Sequence, residues 1–226
     1  MNKQDYILLP GDYYRGKDLL IAKKKSLEGL SWKEAHIQLQ EGNAFMLTPR
    51  IFFNFLKYLY EGKVYDGTGN RLPEPERTHF IQTIAEKGQQ REEWLDMHFS
   101  TRGNNFYMDR VHVYENEVLS PRVRTEIEQT RRDFTPPNGV NLNSLILHPT
   151  ESGLPEKEIP SGEDTFLHPR LDTVVSWRTT EKGRALLCSK NPEYPTTIIE
   201  VRAVYFREER AYGIKYQEAL GERAVA

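Results

Sequence analysis

Apolar positions along the chain fall into short runs and helical stripes that change character near the middle. Tyr6-Ile7-Leu8-Leu9 has strand length and is followed by a Pro10-Gly11-Asp12 turn. Asp18-Leu19-Leu20-Ile21-Ala22 is a second short run. Ser31-Trp32-Lys33-Glu34 is a capping box, and Trp32, Ala35 and Leu39 then recur at helical spacing up to Gly42. Thr48 caps a second helix with Pro49 at its first position, where the missing N–H costs nothing. Phe52, Phe55, Leu56 and Leu59 form its apolar face, Gly62 ends it, and Asp66 to Asn70 is a turn. A third helix is predicted from Glu74 to Glu86, with Phe80, Ile81, Ile84 and Ala85 inward. Trp94 and Leu95 sit in an acidic piece that reads as helical.

After Gly103 the pattern becomes strand-like. Asn105 to Met108 and Arg110 to Tyr114 are strands, and Glu115-Asn116-Glu117 turns the chain into Val118-Leu119. Pro121 to Gly139 is charged, then proline-rich, and reads as surface helix or loop. Asn141 to Leu147 is a short helix, and His148 to Pro169 a long loop. Val174 to Trp177, Arg184 to Cys188 and Thr197 to Phe206 are the final strands, joined by polar loops. A charged tail follows Glu208.

Composition narrows the classes. The chain has 226 residues, enough for one sizeable core. With 31 basic and 33 acidic residues the net charge is −2, so no nucleic-acid partner is expected. No run of about 18 apolar residues occurs, and the first residues lack the apolar stretch of a secretory signal. The expectation is no direct membrane insertion and, by default, a cytoplasmic location. A single cysteine, Cys188, excludes an internal disulfide and a cysteine-cluster zinc site.

Candidate chemistry is sparse. His36, His79, His98, His112, His148 and His168 show no HxH or HxxxH spacing, so neither a metal site nor a cofactor is expected. Cys188 lies in an apolar run and reads as a buried, inert thiol. No nucleophile elbow, P-loop or dinucleotide fingerprint occurs. Glu92, Glu93 and Asp96 cluster around Trp94. Paired acids beside an aromatic suit glycoside chemistry, but the solvated face of a helix is the favoured reading.

Two segments carry a resemblance. Leu30-Ser31-Trp32-Lys33-Glu34-Ala35-His36, then Asn43 to Pro49 and an aromatic helix, resembles the early part of C-type-lectin-like domains and of their formylglycine-generating-enzyme branch. The C-terminal series resembles the end of the variable proteins of diversity-generating retroelements. It consists of Val174-Val175-Ser176-Trp177, Arg184-Ala185-Leu186-Leu187-Cys188, Pro192 and Ile199-Glu200-Val201-Arg202-Ala203-Val204. Gly153-Leu154-Pro155 and Ser161-Gly162 precede it in a similar order. The match covers about Leu30 to Tyr60 and Asp172 to Phe206. It departs at Glu200, where the family has glycine, and at Trp177, which replaces phenylalanine. The calcium-site tripeptides of sugar-binding lectins and the paired cysteines of the formylglycine-generating enzymes are absent.

The resemblance implies an α+β domain of C-type-lectin-like type over residues 1–226, with helices on a small antiparallel sheet and insertions. It implies a non-enzymatic protein that binds a macromolecular ligand, a protein, through a variable region at 174–206. Val174, Leu186, Cys188, Val201 and Ala203 would face inward. The implied ligand-binding residues are Trp177, Arg178, Thr180, Lys182, Leu187, Lys190, Asn191, Tyr194, Thr196 and Thr197. For Trp177, core packing is an equal alternative. The competing readings are a formylglycine-generating-like enzyme, a hydrolase using Glu92, Glu93 or Asp96, and a structural phage or mobile-element protein.

Overall fold

A computed structural model describes residues 2–10, 18–85, 91–127, 139–154, 160–167 and 169–207. The chain starts with an antiparallel pair, β1 (Tyr6–Leu9) and β2 (Leu19–Ala22). Helix α1 (Trp32–Glu41) carries both bonds of the capping box: Ser31 Oγ accepts from Glu34 N, and Glu34 accepts from Ser31 N. The short strand β3 (Phe45–Met46) leads into α2 (Pro49–Glu61), capped by Thr48 and closed by Gly62 in the left-handed region at φ 68°. Then come β4 (Tyr65–Asp66) and α3 (Glu74–Ala85). Three long strands follow, β5 (Arg91–Arg102), β6 (Asn105–Glu115) and β7 (Val118–Ile127). The short helix α4 (Asn143–Leu147) precedes β8 (Thr165–Leu167), β9 (Thr173–Thr180) and β10 (Gly183–Lys190). The described chain closes with β11 (Ile199–Glu200) and β12 (Ala203–Phe206).

The architecture is α+β, with two sheets. The five-stranded sheet runs β3-β12-β2-β1-β4, so the last strand lies between two early ones. The seven-stranded sheet runs β7-β6-β5-β9-β10-β8, with β11 added beside the start of β5. All pairings are antiparallel except β10 with β8 and β11 with β5. The main core fills with the aromatic face of α2 (Phe52, Phe53, Phe55), the inner face of α3, and Leu95, Val175, Trp177, Leu186 and Cys188 from the large sheet. A second cluster gathers around α1, where Trp32, Ala35 and Leu39 meet Trp94, Val174, Ile199 and Val201. Among the described residues no helix is long and apolar enough to cross a membrane.

Several expectations need correction. The Trp94–Leu95 piece is not helical; it lies in β5, an interior strand of the large sheet that is buried from Glu92 to Met97. Its acids are buried rather than solvated, because β5 is covered on both faces and each acid has its own partner. The charged stretch after Val118 is a strand as far as Ile127. It forms the outer edge of the large sheet, where charged side chains are tolerated and discourage further pairing. The run from Thr197 to Phe206 is not one strand. It breaks at Val201-Arg202, so that β11 joins the large sheet and β12 the small one. The Pro10-Gly11-Asp12 turn in part, the proline-rich stretch of 128–138, Glu86, Arg131, Arg132, Pro155, His168 and the charged tail lie outside the described residues.

Arg202 occupies the crossing between sheets. Its guanidinium is buried and donates to the Glu93 carboxylate at 3.2 and 3.4 Å and to the carbonyls of Ala22 and Lys23 at 3.0 and 2.7 Å. Those four bonds satisfy a charge that would otherwise be costly to bury. They clamp the end of β2 to β5. Glu200 is half-buried and pairs with Lys25 at 3.2 Å.

Candidate functional site

The C-terminal hairpin and the loop after it form the first candidate region. Val174, Leu186, Cys188 and Val201 are buried as expected, and Ala203 is half-buried. Between them the ten implied contact residues divide. Trp177 is 2% exposed, its indole N–H donates to Ile84 O at 2.7 Å, and its ring packs on Phe52 and Phe53. Leu187 is also buried. Neither presents its side chain at the surface, because each points from its strand toward a covered face. Lys190 is held by the buried Glu92 carboxylate at 3.4 Å. Thr180 closes the hairpin: its hydroxyl donates to Gly183 O and accepts from Lys182 N. Asn191 accepts from Glu193 N in an Asx turn. Thr196 is half-buried, and its hydroxyl oxygen has no partner. Arg178, Lys182, Tyr194 and Thr197 are exposed.

These residues do not form one patch. The turn holding Lys182 and the loop after Lys190 lie at opposite ends of the hairpin, about 20–25 Å apart at the ordinary strand rise. The loop of residues 191–198 is the more distinctive end. Tyr194 is 68% exposed and Ile198 60%, although strands buried to the core flank the loop on either side. The loop is seated on the start of α1. Lys33 N, one of the helix's orphan donors, donates to Pro192 O at 3.3 Å, and Lys33 pairs with Glu193 at 3.2 Å. Ile198 did not stand out in the sequence because an apolar residue between Thr197 and Ile199 reads as strand interior.

Beneath that end of α1 lies a second region that sequence reasoning missed. His36 on α1, Asp96 on β5 and His112 on β6 converge in the interior, with Asp96 and His36 each 1% exposed. Two strand irregularities aim them. The β5–β9 register shifts between Leu95 and His98, which frees Asp96 from the ladder, and its N–H donates to Leu47 O at 2.7 Å. On β6, Val111 adopts φ 59°, a left-handed conformation rare for a β-branched residue and costing about 1–3 kcal/mol. Directly after it, His112 donates its backbone N–H to Asp96 Oδ2 at 3.0 Å, and its Nδ1 lies 2.5 Å from Oδ1. Trp32 walls the group: its ring meets His36 edge-on at 4.3 Å and His112 at 4.9 Å, and its N–H donates to Leu95 O.

The electrostatics of this group are set by burial. Burial pushes His36 down to about 4, with Asp96 opposing and His112 adding to the shift. Burial also opposes ionisation of Asp96, but the adjacent His112 and His36 outweigh it and hold the carboxyl below its ordinary range. His36 Nε2 stands 3.5 Å from Asp96 Oδ1, and neither of its ring nitrogens makes a hydrogen bond. A buried polar atom left without a partner costs about 1–3 kcal/mol. These three residues did not stand out in the sequence because they lie far apart along the chain, and the register shift on β5 and the left-handed Val111 on β6 bring them together. His98 belongs to the rim, bonded to Asp172 at 3.0 Å; burial lowers its pKa, and that bond opposes the shift.

The remaining acids act as structural counter-charges. Glu92 accepts from Ser176 Oγ at 2.8 Å, faces Lys190, and leaves one carboxylate oxygen without a partner. Glu93 is taken up by Arg202. Glu92 and Glu93 line a small pocket together with Lys25, Thr83 and Trp177. Cys188 is buried, and burial pushes its thiol far up, which keeps it protonated. No family model matches the chain, and neither a curated protein nor a solved structure is detectably similar to it.

Proposed function

We propose that this is a non-enzymatic binding protein with a C-type-lectin-like scaffold, a variable protein of the diversity-generating-retroelement type that recognises a protein ligand. The observation that carries the reading is the loop of residues 191–198, which exposes Tyr194 and Ile198 between two strands fixed in the core. Large side chains held outward on an anchored loop are what a contact surface needs. Tyrosine supplies broad area at low entropic cost, and Asn191 and Thr197 supply adaptable hydrogen bonds. The return of β12 to lie between β2 and β3 supports the scaffold, since it ties the two ends of the described chain into one sheet. Binding centres on Asn191, Tyr194, Thr196, Thr197 and Ile198, with Arg178 and Lys182 at the far end of the hairpin. Trp177 and Leu187 serve the frame.

The test lies in the encoding DNA. A second near-identical copy of the stretch coding for Val174 to Phe206, beside a reverse-transcriptase gene and differing mainly at adenines, is the expected finding. The differences should fall at the codons of Arg178, Lys182, Asn191, Tyr194 and Thr197 and spare those of Val174, Trp177, Leu186 and Cys188. A locus with no such copy contradicts the reading.

A further inference from the structure

We infer that His36, Asp96 and His112 form a buried site for a divalent transition-metal ion of the zinc class, which braces α1 against the large sheet. The donor set, two imidazoles and one carboxylate, is the kind that zinc takes with three protein ligands. Ligand atoms from all three lie within 4.8 Å of one another. The His36 and His112 ring centres are 5.6 Å apart, close to the separation of about 5 Å that two imidazoles adopt on one tetrahedral ion. His36 supplies the independent observation: it is 1% exposed, and neither ring nitrogen has a hydrogen-bond partner. A coordinated ion takes up one of those nitrogens, and its charge answers the buried Asp96 carboxylate.

The backbone adds to the case. Asp96 sits in a register shift and His112 follows a valine in the left-handed region, so two costly irregularities converge on one point. A hydrogen bond alone does not require both. At 2.5 Å, His112 Nδ1 and Asp96 Oδ1 are closer than two ligands of one ion, which stand about 3.3 Å apart at these bond lengths. Loading therefore replaces that hydrogen bond with two metal bonds and moves the His112 ring by about 1 Å. The three side chains fill three positions of a tetrahedral ion and a water molecule would take the fourth, while Trp32 walls the group on the α1 side, which fits a structural role.

The full chain, purified without a polyhistidine tag, should carry close to one zinc per chain by elemental mass spectrometry. Chelation should lower its melting temperature, and added zinc should restore it. Cobalt in place of zinc should give the intense visible bands of tetrahedral coordination. His36→Gln, which keeps a polar side chain of similar reach, should lose the metal and the zinc-dependent part of the melting shift. If that variant does not fold, the chelation and cobalt measurements on the unmodified chain still decide the matter. A metal-free protein whose melting temperature is the same in chelator and in zinc would overturn the site and leave a hydrogen-bonded His–Asp–His network.

Discussion

The loop of residues 191–198 and the His36–Asp96–His112 centre lie against the same end of α1 and are built on opposite terms. The loop shows Tyr194 and Ile198 to water, and it is held by an Asx turn, one backbone bond to the helix and one surface ion pair, none of which uses those two side chains. The centre is sealed, and each of its groups depends on a residue distant in sequence. Side chains of the first kind can be exchanged at little cost to the fold. Asp96 and His112 cannot, because removing either leaves the other buried without its partner. A surface free to change therefore rests on an interior that is fixed.

The largest expected effect comes from breaking the centre. Asp96→Ala strips the His112 backbone N–H and ring nitrogen of their partner, at about 1–3 kcal/mol for each polar group left buried and unpaired, and should cost about 2–6 kcal/mol in urea unfolding. Trp177→Ala opens a cavity against Phe52 and Phe53 and should cost about 3–5 kcal/mol by the same measurement. A smaller effect sits at the sheet edge, where Asp109 is buried. Burial opposes its ionisation, but bonds from Arg124 and Ser100 prevail and lower its pKa. A depressed folded pKa gives stability that is present above the unfolded value, about 3.9, and is lost as the pH falls through the folded one. Asp109→Asn should therefore flatten the fall in urea midpoint below about pH 4, and an unchanged acid limb would contradict that origin. Native Cys188 should resist alkylation until the chain unfolds; rapid labelling at neutral pH would show the hairpin opening locally. At the small end, Tyr194→Ala should change stability by no more than about 0.5 kcal/mol.

The helices were legible because their ends are written in local chemistry. Ser31 with Glu34, Thr48 with Pro49, and Gly62 each act within one turn of their own position. The hairpin of β9 and β10 was legible from two short apolar runs, Val174 to Trp177 and Arg184 to Cys188, joined by a polar loop. What stayed hidden depends on tertiary placement. Glu92, Glu93 and Asp96 look like a solvated face until Ser176, Arg202 and His112 arrive from elsewhere in the chain. The same holds for Trp177, where an outward and an inward aromatic share one sequence pattern and only α2 decides between them. His36, Asp96 and His112 were hidden for a further reason: a register shift on β5 and a left-handed residue on β6, not residue spacing, bring them together.

The division between fixed frame and free surface is tested most directly with two libraries of equal size, displayed and scored for resistance to protease. One randomises Arg178, Lys182, Asn191, Tyr194 and Thr197; the other randomises Val174, Trp177, Leu186, Cys188 and Val201. The expected result is that most members of the first stay folded and nearly all of the second do not. Comparable losses in both libraries would contradict it, because the exposed segment would then be part of what holds the fold together.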